Sequence, residues 1–542
     1  MILLWHRTDL RIEDNPAVER AITVAESQGT TMQPVFVFDP QFYGEASLAC
    51  DARITFMHEC LRSLRERYRE RGSELALLHG NPAARFAGLI EDEETANTRI
   101  CYTRHPTARY GTKRDDQLET RIRSDIGSDT NQRGMDVDAV PEGAIVFGAL
   151  DRGVDSRDGW SEQCKAYLTG EQHSAPSTDV LVSEEESVES DLAITNIEEQ
   201  YEVASTKHDV PRGGHRPARR RLDWFTRAKN MDQYPGGISP PAEAESRTSR
   251  LSPYLRFGVL SVRQVHQAGV DRGGAGRARD LFESRLYWNR HFRQKLADNP
   301  ALTEEAVNPV LRELYADDEE YAPELIAAWK EGRTGFPMVD ASMRALTETG
   351  WLNFRMRAMV ASFFGYILKQ WWRIGADFMY YHLIDADPAI NYAQWQMQCG
   401  LVGCHPNRIY NPRKQVREND PDGEFVREYV PELRDLPNEF LARPERAPVH
   451  VQRECDVTIG NSPEADYPYP VADFERESTL ARERFSELAD RARKALADPE
   501  VRRRASLSRD RRQRMQDFDE TEANLKDTEP SDDGDQHRLA EF

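Results

Sequence analysis

The sequence contains no apolar run long enough to cross a membrane and few of the residues that form disulfides or bind zinc. No stretch reaches the roughly 18 consecutive apolar residues of a transmembrane helix, and the apolar N-terminus is too short for a signal peptide. The 542 residues include seven cysteines, an odd number, and no CxxC pair. These absences disfavour a membrane protein, a disulfide scaffold and a zinc ribbon. We therefore expect a reduced, cytoplasmic protein without a metal site.

Lysine is also scarce, and basic residues as a whole are outnumbered. Only 10 of the 72 basic residues are lysine, and the 93 acidic residues give a net charge of −21. An acidic surplus with so little lysine favours a protein adapted to high salt, where ions screen the self-repulsion. An arginine-rich product of a GC-rich genome has the same composition, so both explanations stay open.

Short apolar runs alternate with helical periodicity over residues 1–130. The pattern predicts strands at 2–5, 35–38, 75–78 and 100–102, and helices at 17–25 and 52–71. Strands that alternate with helices predict an α/β domain with a doubly wound parallel sheet. The glycine pattern GxGxxG of ordinary dinucleotide-binding folds is missing.

The composition changes twice beyond residue 130. Residues 131–211 read as a linker with an acidic insertion, because 181–202 hold eight acidic residues and no basic one. Helical periodicity then predicts an all-helical domain over 212–465, in which 351–410 contain 13 aromatics. That density suits a large core or a box for a planar cofactor. The charged residues of 466–542 predict a disordered tail.

Seven segments carry a resemblance to a known family. They are WHRTDLRIEDNPA at 5–17, TSRLSPYLRFG at 248–258, TGFPMVDA at 334–341, GWLNFRMR at 350–357, HLIDADPA at 382–389, NYAQWQ at 391–396 and RIYNP at 408–412. In this order and at these distances they resemble the DNA photolyase and cryptochrome family over most of residues 1–440. The resemblance implies an α/β antenna domain followed by an all-helical domain that binds FAD non-covalently.

The resemblance also implies the residues that hold FAD. Hydroxyls, backbone N–H groups near a helix start and one arginine hold the phosphates and the ribityl chain. These residues are Tyr234, Thr248, Ser249, Arg250, Leu251 and Ser252. Near the isoalloxazine, Arg357 pairs with Asp385, Asp387 accepts from the flavin N3–H, and Asn391 faces N5. A neutral amide at N5 keeps the fully reduced anionic flavin accessible. A second chromophore of the deazaflavin or folate type is expected in the N-terminal domain.

Electrons reach the flavin of this family through a chain of tryptophans. By resemblance, Trp395 is the member nearest the flavin and Trp372 the middle one. The distal position aligns with Glu319, which cannot be oxidised usefully. Substitutes for it are Tyr321, Tyr380, Tyr381 or Trp371.

The expected substrate is damaged DNA, and here the match with the family weakens. Trp288 is retained for stacking on a pyrimidine dimer. Four neighbours differ from the usual Glu, His-Asn pair, Met and second Trp: they are Arg285, Asn353-Phe354, Ala358 and Met397. A basic rim for the DNA strand is expected from Arg290, Arg293, Arg355, Arg408, Arg413 and Lys414, of which Arg355 and Arg408 match family phosphate contacts most directly.

Three functions follow in order. The first is a monomeric, light-driven repair enzyme, a divergent cyclobutane pyrimidine dimer photolyase in which excited reduced FAD gives an electron to the lesion. The second is a cryptochrome, a blue-light photoreceptor that signals through a partner; the extended tail and the altered pocket favour it. The third is a (6-4) photolyase, which generally needs an active-site His pair where this sequence has Asn353-Phe354.

Overall fold

The computed structural model describes residues 1–44, 47–91, 98–126, 136–147, 157–317, 321–403 and 408–505. An N-terminal α/β domain precedes a helical C-terminal domain, so the predicted fold class is confirmed. No helix in these ranges combines the length and apolar character that a membrane crossing requires.

Five parallel strands form the sheet in the order β3-β2-β1-β4-β5. They are β1 (Ile2–His6), β2 (Met32–Phe38), β3 (Ala76–His79), β4 (Arg99–Arg104) and β5 (Asp136–Pro141). Successive side chains point to opposite faces, so Leu3 and Trp5 lie in one apolar cluster and Ile2 and Leu4 in another. Because both faces are covered, the central strands read as continuous apolar runs.

Six helices accompany the sheet. They are α1 (Pro16–Gln28), α2 (Asp51–Arg69), α3 (Pro82–Glu91), α4 (Arg109–Ile126), α5 (Arg157–Thr169) and α6 (Ile194–Gln200). The start of α1 is set by Asn15, whose side-chain oxygen accepts from the backbone N–H of Ala17 at 3.0 Å. The asparagine-proline pair of the first motif is therefore a helix cap.

The α/β domain extends well beyond residue 130, which corrects the predicted linker over 131–211. Strand β5 lies inside that segment, and so does a stretch that pairs with β2. The Met32 N–H donates to the Val180 carbonyl at 2.8 Å, and the Val182 N–H donates to the Met32 carbonyl at 3.0 Å. Apolar residues such as Ile197 pack into the core while the acidic residues between them face solvent. The many acidic residues of this segment make its few buried apolar residues hard to recognise in the sequence.

Eighteen further helices lie within the described part of the C-terminal domain. The first nine are α7 (His215–Phe225), α8 (Ala228–Met231), α9 (Tyr234–Gly237), α10 (Pro241–Arg247), α11 (Ser252–Arg256), α12 (Val262–Arg272), α13 (Arg277–Asp298), α14 (Pro323–Glu331) and α15 (Pro337–Thr349). The others are α16 (Phe354–Ser362), α17 (Trp372–His382), α18 (Pro388–Gln398), α19 (Pro412–Asn419), α20 (Glu424–Tyr429), α21 (Asn438–Leu441), α22 (Val449–Glu454), α23 (Phe474–Ala497) and α24 (Pro499–Ala505). A π-helical turn over Phe363–Ile367 continues α16.

Helices α23 and α24 correct the expectation of a disordered tail for residues 466–505. Helix α23 is capped by Asp473, and Phe474, Ala481 and Phe485 on one of its faces are buried in the main helical core. The charged residues of the helix occupy its solvated face, so the overall composition does not reveal the apolar stripe on the other face. The rest of the predicted tail, 506–542, lies outside the described residues.

The first two sequence motifs meet at the junction of the two domains. The Leu10 N–H donates to the Phe257 carbonyl at 3.0 Å. Asp14 is fully buried and ion-paired to Arg263 at the start of α12. These contacts join the loop after β1 to the helical domain, beside the segment predicted to hold phosphates.

Candidate functional site

A cavity of about 340 Å³ opens between the helices of the C-terminal domain, a size typical of small-molecule sites. It runs along α18. The part near the start of α18 is called the floor here, and the floor residues are Arg250, Arg357, Asp385, Asp387 and Asn391. A second group of lining residues, most of them half-exposed, is called the mouth: Arg285, Trp288, Phe354 and, on the last turns of α18, Gln394, Met397 and Gln398. Tyr234, Thr248, Ser249, Leu251, Ser252 and Trp395 also line the cavity.

The Arg357–Asp385 pair is formed as the motifs predict. Nη2 of Arg357 contacts the two carboxylate oxygens of Asp385 at 2.9 and 3.1 Å, and Nε donates to the Leu352 carbonyl at 2.8 Å. The Asp385 side chain is only 5% exposed. A buried ion pair without further partners is costly, so these groups suit a ligand that supplies additional hydrogen bonds.

Asp387 caps α18 and carries a second ion pair. One of its oxygens accepts from the Ala389 N–H at 2.9 Å, and the other accepts from Nε of Arg293 at 2.9 Å. Burial alone would raise the pKa of this carboxyl, but the charges of Arg293 and Arg256 outweigh burial and hold the pKa below its usual value. Asp387 is therefore a charged acceptor at the floor.

Arg293 is held in turn by Glu142, which follows β5 of the other domain. Glu142 also bonds Nη1 of Arg290 at 2.8 Å and Nδ1 of His105 at 3.1 Å. Burial opposes ionisation of Glu142, yet the two arginines keep its pKa well below the ordinary range. The network thus joins the sheet domain to the floor, and sequence inspection offered no signal for Glu142.

The segment Thr248–Ser252 lies along one wall with an unusual backbone. Arg250 has a φ of 50°, which a residue with a side chain adopts only where surrounding contacts hold it. Its guanidinium lies 4.0 Å from the Trp351 ring centroid and 3.3 Å from Glu245. Helix α11, which starts at Ser252, has only five residues, so anion binding here depends on hydroxyls and Arg250 more than on a helix terminus.

Asn391 presents an amide at the floor with one of its groups already engaged. Its Nδ2 donates to the Ala376 carbonyl at 3.0 Å, which orients the side-chain oxygen away from α17. That oxygen accepts no hydrogen bond from the described residues and suits an N–H donor of a bound ring. Together with the ion pairs of the floor and the hydroxyls of Thr248–Ser252, it forms a donor and acceptor set that fits FAD.

The tryptophans predicted to carry electrons are buried but do not form one continuous stack. Trp395 contacts Trp329 with ring centroids 6.0 Å apart. Trp372 contacts Tyr392 at 6.2 Å, and Tyr392 stacks on Tyr380 at 5.6 Å. Trp372 and Trp395 share no ring contact within the described ranges. Their helices approach at Gly375, where an added Cβ would strike the Trp395 ring.

The distal end of this chain was predicted only in part. Glu319 lies outside the described residues. Of the substitutes, Tyr321, Tyr381 and Trp371 are exposed, whereas Tyr380 is half-buried in contact with Tyr392. Sequence inspection missed Trp329 because it stands in no motif; Tyr392, which follows Asn391, is part of one and was overlooked.

The mouth is more open than the floor. Trp288 packs on Phe292 with centroids 5.6 Å apart, and Phe354 and Met397 line the cavity half-buried. Arg285 lies near the Tyr234 hydroxyl. Asn353, which replaces a family histidine, is a helix cap whose oxygen accepts from the Met356 N–H at 3.2 Å.

Only some of the residues predicted to form a basic rim are exposed to solvent. Arg290, Arg293 and Arg413 are buried in ion pairs, because the helical pitch turns them toward carboxylates of neighbouring segments. Arg355 and Arg408 are half-exposed and lie 5.7 and 4.8 Å from the centroid of the same Tyr410 ring. Lys414 is half-exposed and pairs with Glu418 at 3.6 Å.

In the N-terminal domain, protein side chains fill the crevice between β1 and β4, where ligands of such sheets commonly bind. Arg7 donates to Asp115 at 2.5 Å and to the Thr103 carbonyl at 2.6 Å, and its guanidinium lies over the Trp5 and Tyr102 rings.

Comparison with known proteins adds to this geometry. A family model described as "DNA photolyase" matches residues 2–134, and one described as "FAD binding domain of DNA photolyase" matches residues 282–487. The chain is 28% identical over 520 residues to a deoxyribodipyrimidine photo-lyase of Synechococcus sp., covering 92% of this chain and 98% of that one. It is 29% identical to the enzyme of that name from Halobacterium salinarum, covering 89% and 98%.

Relatives with other names match almost as well. A (6-4)DNA photolyase of Arabidopsis thaliana is 28% identical, covering 86% of this chain and 85% of that one. Among solved structures, a Synechocystis cryptochrome superposes with a TM-score of 0.76 at 23% identity, covering 89% and 98%. A class III photolyase of Agrobacterium tumefaciens superposes at 0.72 and 26% identity, covering 91% and 98%.

Proposed function

Because the chain belongs to the DNA photolyase and cryptochrome family, we propose that it binds FAD and splits cyclobutane pyrimidine dimers in DNA under blue light. The observation that carries the proposal is the single cavity that joins the charged floor to Trp288 at the mouth. A ligand on the floor and a flipped-out base at the mouth would meet with no protein element between them.

The floor is the proposed cofactor site. When bound and reduced, FAD supplies the light-driven electron. The Arg357–Asp385 pair orients the ring, the Asp387 carboxylate accepts from an imide N–H, and Asn391 offers a neutral acceptor near N5. Thr248–Ser252 and Tyr234 hold the phosphates and the ribityl chain. The apolar walls exclude water, so the protein contributes position and dryness more than acid–base chemistry.

The mouth is the proposed lesion site. Trp288 stacks on the dimer, and Phe354 and Met397 form the remaining apolar surface. Arg355 and Arg408, which share the Tyr410 ring, hold the phosphates of the strand. A basic patch of this kind is compatible with a net charge of −21, because binding follows the local field.

Electron supply to oxidised flavin is proposed to pass through Trp395. Trp395 receives its electrons in turn from Trp372 and the Tyr392–Tyr380 stack, or from Trp329. A second chromophore of the deazaflavin or folate type in the N-terminal domain, a monomeric state and a cytoplasmic location belong to the same proposal.

A blue-light photoreceptor is the second candidate. Arg285, Phe354 and Met397 change the polarity and the shape of the mouth while the floor keeps the pattern expected for the flavin. A (6-4) photolyase ranks last, because Asn353 is engaged as a helix cap.

One experiment separates these functions. The reduced protein is incubated at high salt with oligonucleotides that carry either a cyclobutane dimer or a (6-4) lesion, in light and in the dark. We expect light-dependent restoration of the cyclobutane dimer alone. Failure with both lesions while reduced FAD stays bound would favour the photoreceptor, and restoration of the (6-4) lesion would favour the third function.

A further inference from the structure

Two glutamines of α18 form a linked pair at the mouth. Gln394 and Gln398 are one helical turn apart, and both line the cavity half-exposed. Nε2 of Gln398 donates to Oε1 of Gln394 at 3.2 Å. Neither side chain makes another hydrogen bond with the described residues. Gln394 stands in the segment NYAQWQ without an assigned role, and Gln398 stands in none of the seven motif segments.

The bond between them leaves a defined pattern of free groups. An amide has two N–H donors and one carbonyl acceptor. Since Gln394 uses its oxygen in the pair, its amide N–H groups stay free, and the oxygen of Gln398 stays free beside them. If both side-chain amides are rotated by 180°, Gln394 becomes the donor of the bond and Gln398 the acceptor. The pair then still presents free N–H groups on one residue beside a free carbonyl oxygen on the other.

The pair lies between the groups that hold the cofactor and those proposed to hold the lesion. Gln394 is three residues beyond Asn391 and three before Met397, so all three share one face of α18. The pair therefore faces the space that a flipped-out base would enter above the floor.

Among the residues that the structure describes, the other polar side chains at the mouth do not offer a free acceptor. Arg285 has five donors and no acceptor. The oxygen of Asn289 accepts from Arg290 at 2.8 Å, and that of Asn353 accepts from the Met356 N–H. A pyrimidine with an N3–H that must be satisfied therefore finds its acceptor at the glutamine pair.

We propose that Gln394 and Gln398 read the Watson–Crick edge of one pyrimidine of the dimer. The free amide N–H donates to the C4 carbonyl, and the free amide oxygen accepts from N3–H. Adjacent donors and acceptors on a glutamine side chain are a common means of base recognition. This inference rests on the proposed function and names the part of the substrate that the mouth recognises.

The test is binding in the dark, which needs no repair. Gln394→Met and Gln398→Met keep the length of the side chain and remove its hydrogen bonds. Affinities are measured by fluorescence anisotropy for an oligonucleotide with a thymine dimer, for the same dimer methylated at both N3 atoms, and for undamaged DNA. Gln117→Met on α4, an exposed glutamine of the other domain, is the matched control. The FAD absorbance spectrum of each variant reports the folded cofactor site.

We expect each mouth variant to lose roughly tenfold in affinity for the thymine dimer, as for one base-edge hydrogen bond. Affinity for undamaged DNA and the FAD spectrum stay unchanged, and the Gln117→Met protein behaves as the wild type. On the N3-methylated dimer, the wild type and the variant that lacks the acceptor glutamine should bind alike, because the N3–H is gone.

Two results overturn the inference and are distinguishable. If the wild type prefers dimer DNA and the glutamine variants keep that preference in full, the pair does not read the base. If the wild type binds dimer and undamaged DNA equally, the proposed function fails together with the inference.

Discussion

The floor and the mouth of the cavity are built from different kinds of contact. On the floor, Arg357 bonds Asp385 and the Leu352 carbonyl, and Asp387 bonds Arg293 and the first turn of α18. At the mouth, the side chains are mostly half-exposed, and the glutamine pair bonds chiefly to itself. The floor side chains are held by bonds within the protein before any ligand binds. The mouth side chains have hydrogen-bonding groups and apolar surface that a ligand can contact.

This difference shows how the two ends respond to sequence change. Replacing one member of the Arg357–Asp385 or Arg293–Asp387 pair leaves a charge without its partner in a buried place, so such substitutions act on the cofactor and on stability together. A mouth residue loses few internal bonds when it is replaced, so the mouth can alter its substrate preference at little structural cost. Arg285, Phe354 and Met397, at three of the positions that depart from the family pattern, are mouth residues.

Arg357→Met should have the largest effect. It leaves the Asp385 carboxylate buried without its cation, which costs about 3 kcal/mol or roughly a hundredfold in FAD affinity. FAD content after dialysis, read from the visible absorbance, measures this loss. Arg476→Met, at an exposed arginine of α23, is the control and should keep full FAD content. Full occupancy in Arg357→Met would mean that the floor does not hold the cofactor through this pair.

Trp288→Ala should act on the mouth alone. Loss of one stacking contact weakens binding of dimer-containing DNA by about 2 kcal/mol, or roughly thirtyfold. FAD content should stay as in the wild type, which separates the mouth from the floor. The measurement is anisotropy with dimer and undamaged oligonucleotides in the dark. Equal losses on both DNAs would place Trp288 in general strand binding.

Arg293→Met should make FAD binding depend on pH. In the wild type, the pKa of Asp387 is below its unfolded value near 3.9, so its stabilising charge is present above about pH 4 and is lost only at lower pH. Without Arg293, burial raises that pKa, the carboxyl protonates as the pH falls, and the imide N–H loses its acceptor.

We expect FAD affinity of Arg293→Met to fall by about tenfold between pH 8 and pH 5, while the wild type stays level over that interval. Arg293→Lys keeps a cation near the carboxylate and should restore much of the level profile. Parallel pH profiles in all three proteins would remove Asp387 as the titrating group.

Arg355→Gln should have the smallest effect on DNA affinity, and the loss should be the same for every DNA sequence. Removing one phosphate contact lowers the slope of log affinity against log salt by about 0.9 for duplex DNA. Arg408→Gln is the matched variant, because both arginines lie against Tyr410. Binding of dimer and undamaged DNA should weaken alike, with an unchanged ratio between them. An unchanged salt slope in both variants would argue against this surface as the strand contact.

The extent to which sequence predicted the fold varies by element. Strands β1 to β4 were placed within a few residues, since strands buried on both faces are continuous apolar runs. Strand β5 is not predicted, because its sequence, DVDAVP, carries two aspartates and lies partly exposed at the sheet edge. Helix α23 was taken for a disordered tail, because its buried stripe occupies one face of a charged helix.

The candidate site was predicted to a similar degree. The floor residues stand in motifs and were all named beforehand. The partners that hold them were not, because Glu142 and Arg293 come from different elements and no motif contains both. Arg293 was instead expected on the basic rim, since a sequence does not show which side of a helix faces solvent.

The α/β and all-helical plan, the segments that form the floor and the family can all be read from the sequence, because each follows from local periodicity or from motifs of fixed spacing. The packing of the helices is needed to show which arginines are buried, how the sheet domain reaches Asp387 through Glu142 and Arg293, and that Gln394 and Gln398 have unused hydrogen-bonding groups at the mouth. These properties depend on which distant groups come within hydrogen-bonding distance, and that is settled when the helices pack together.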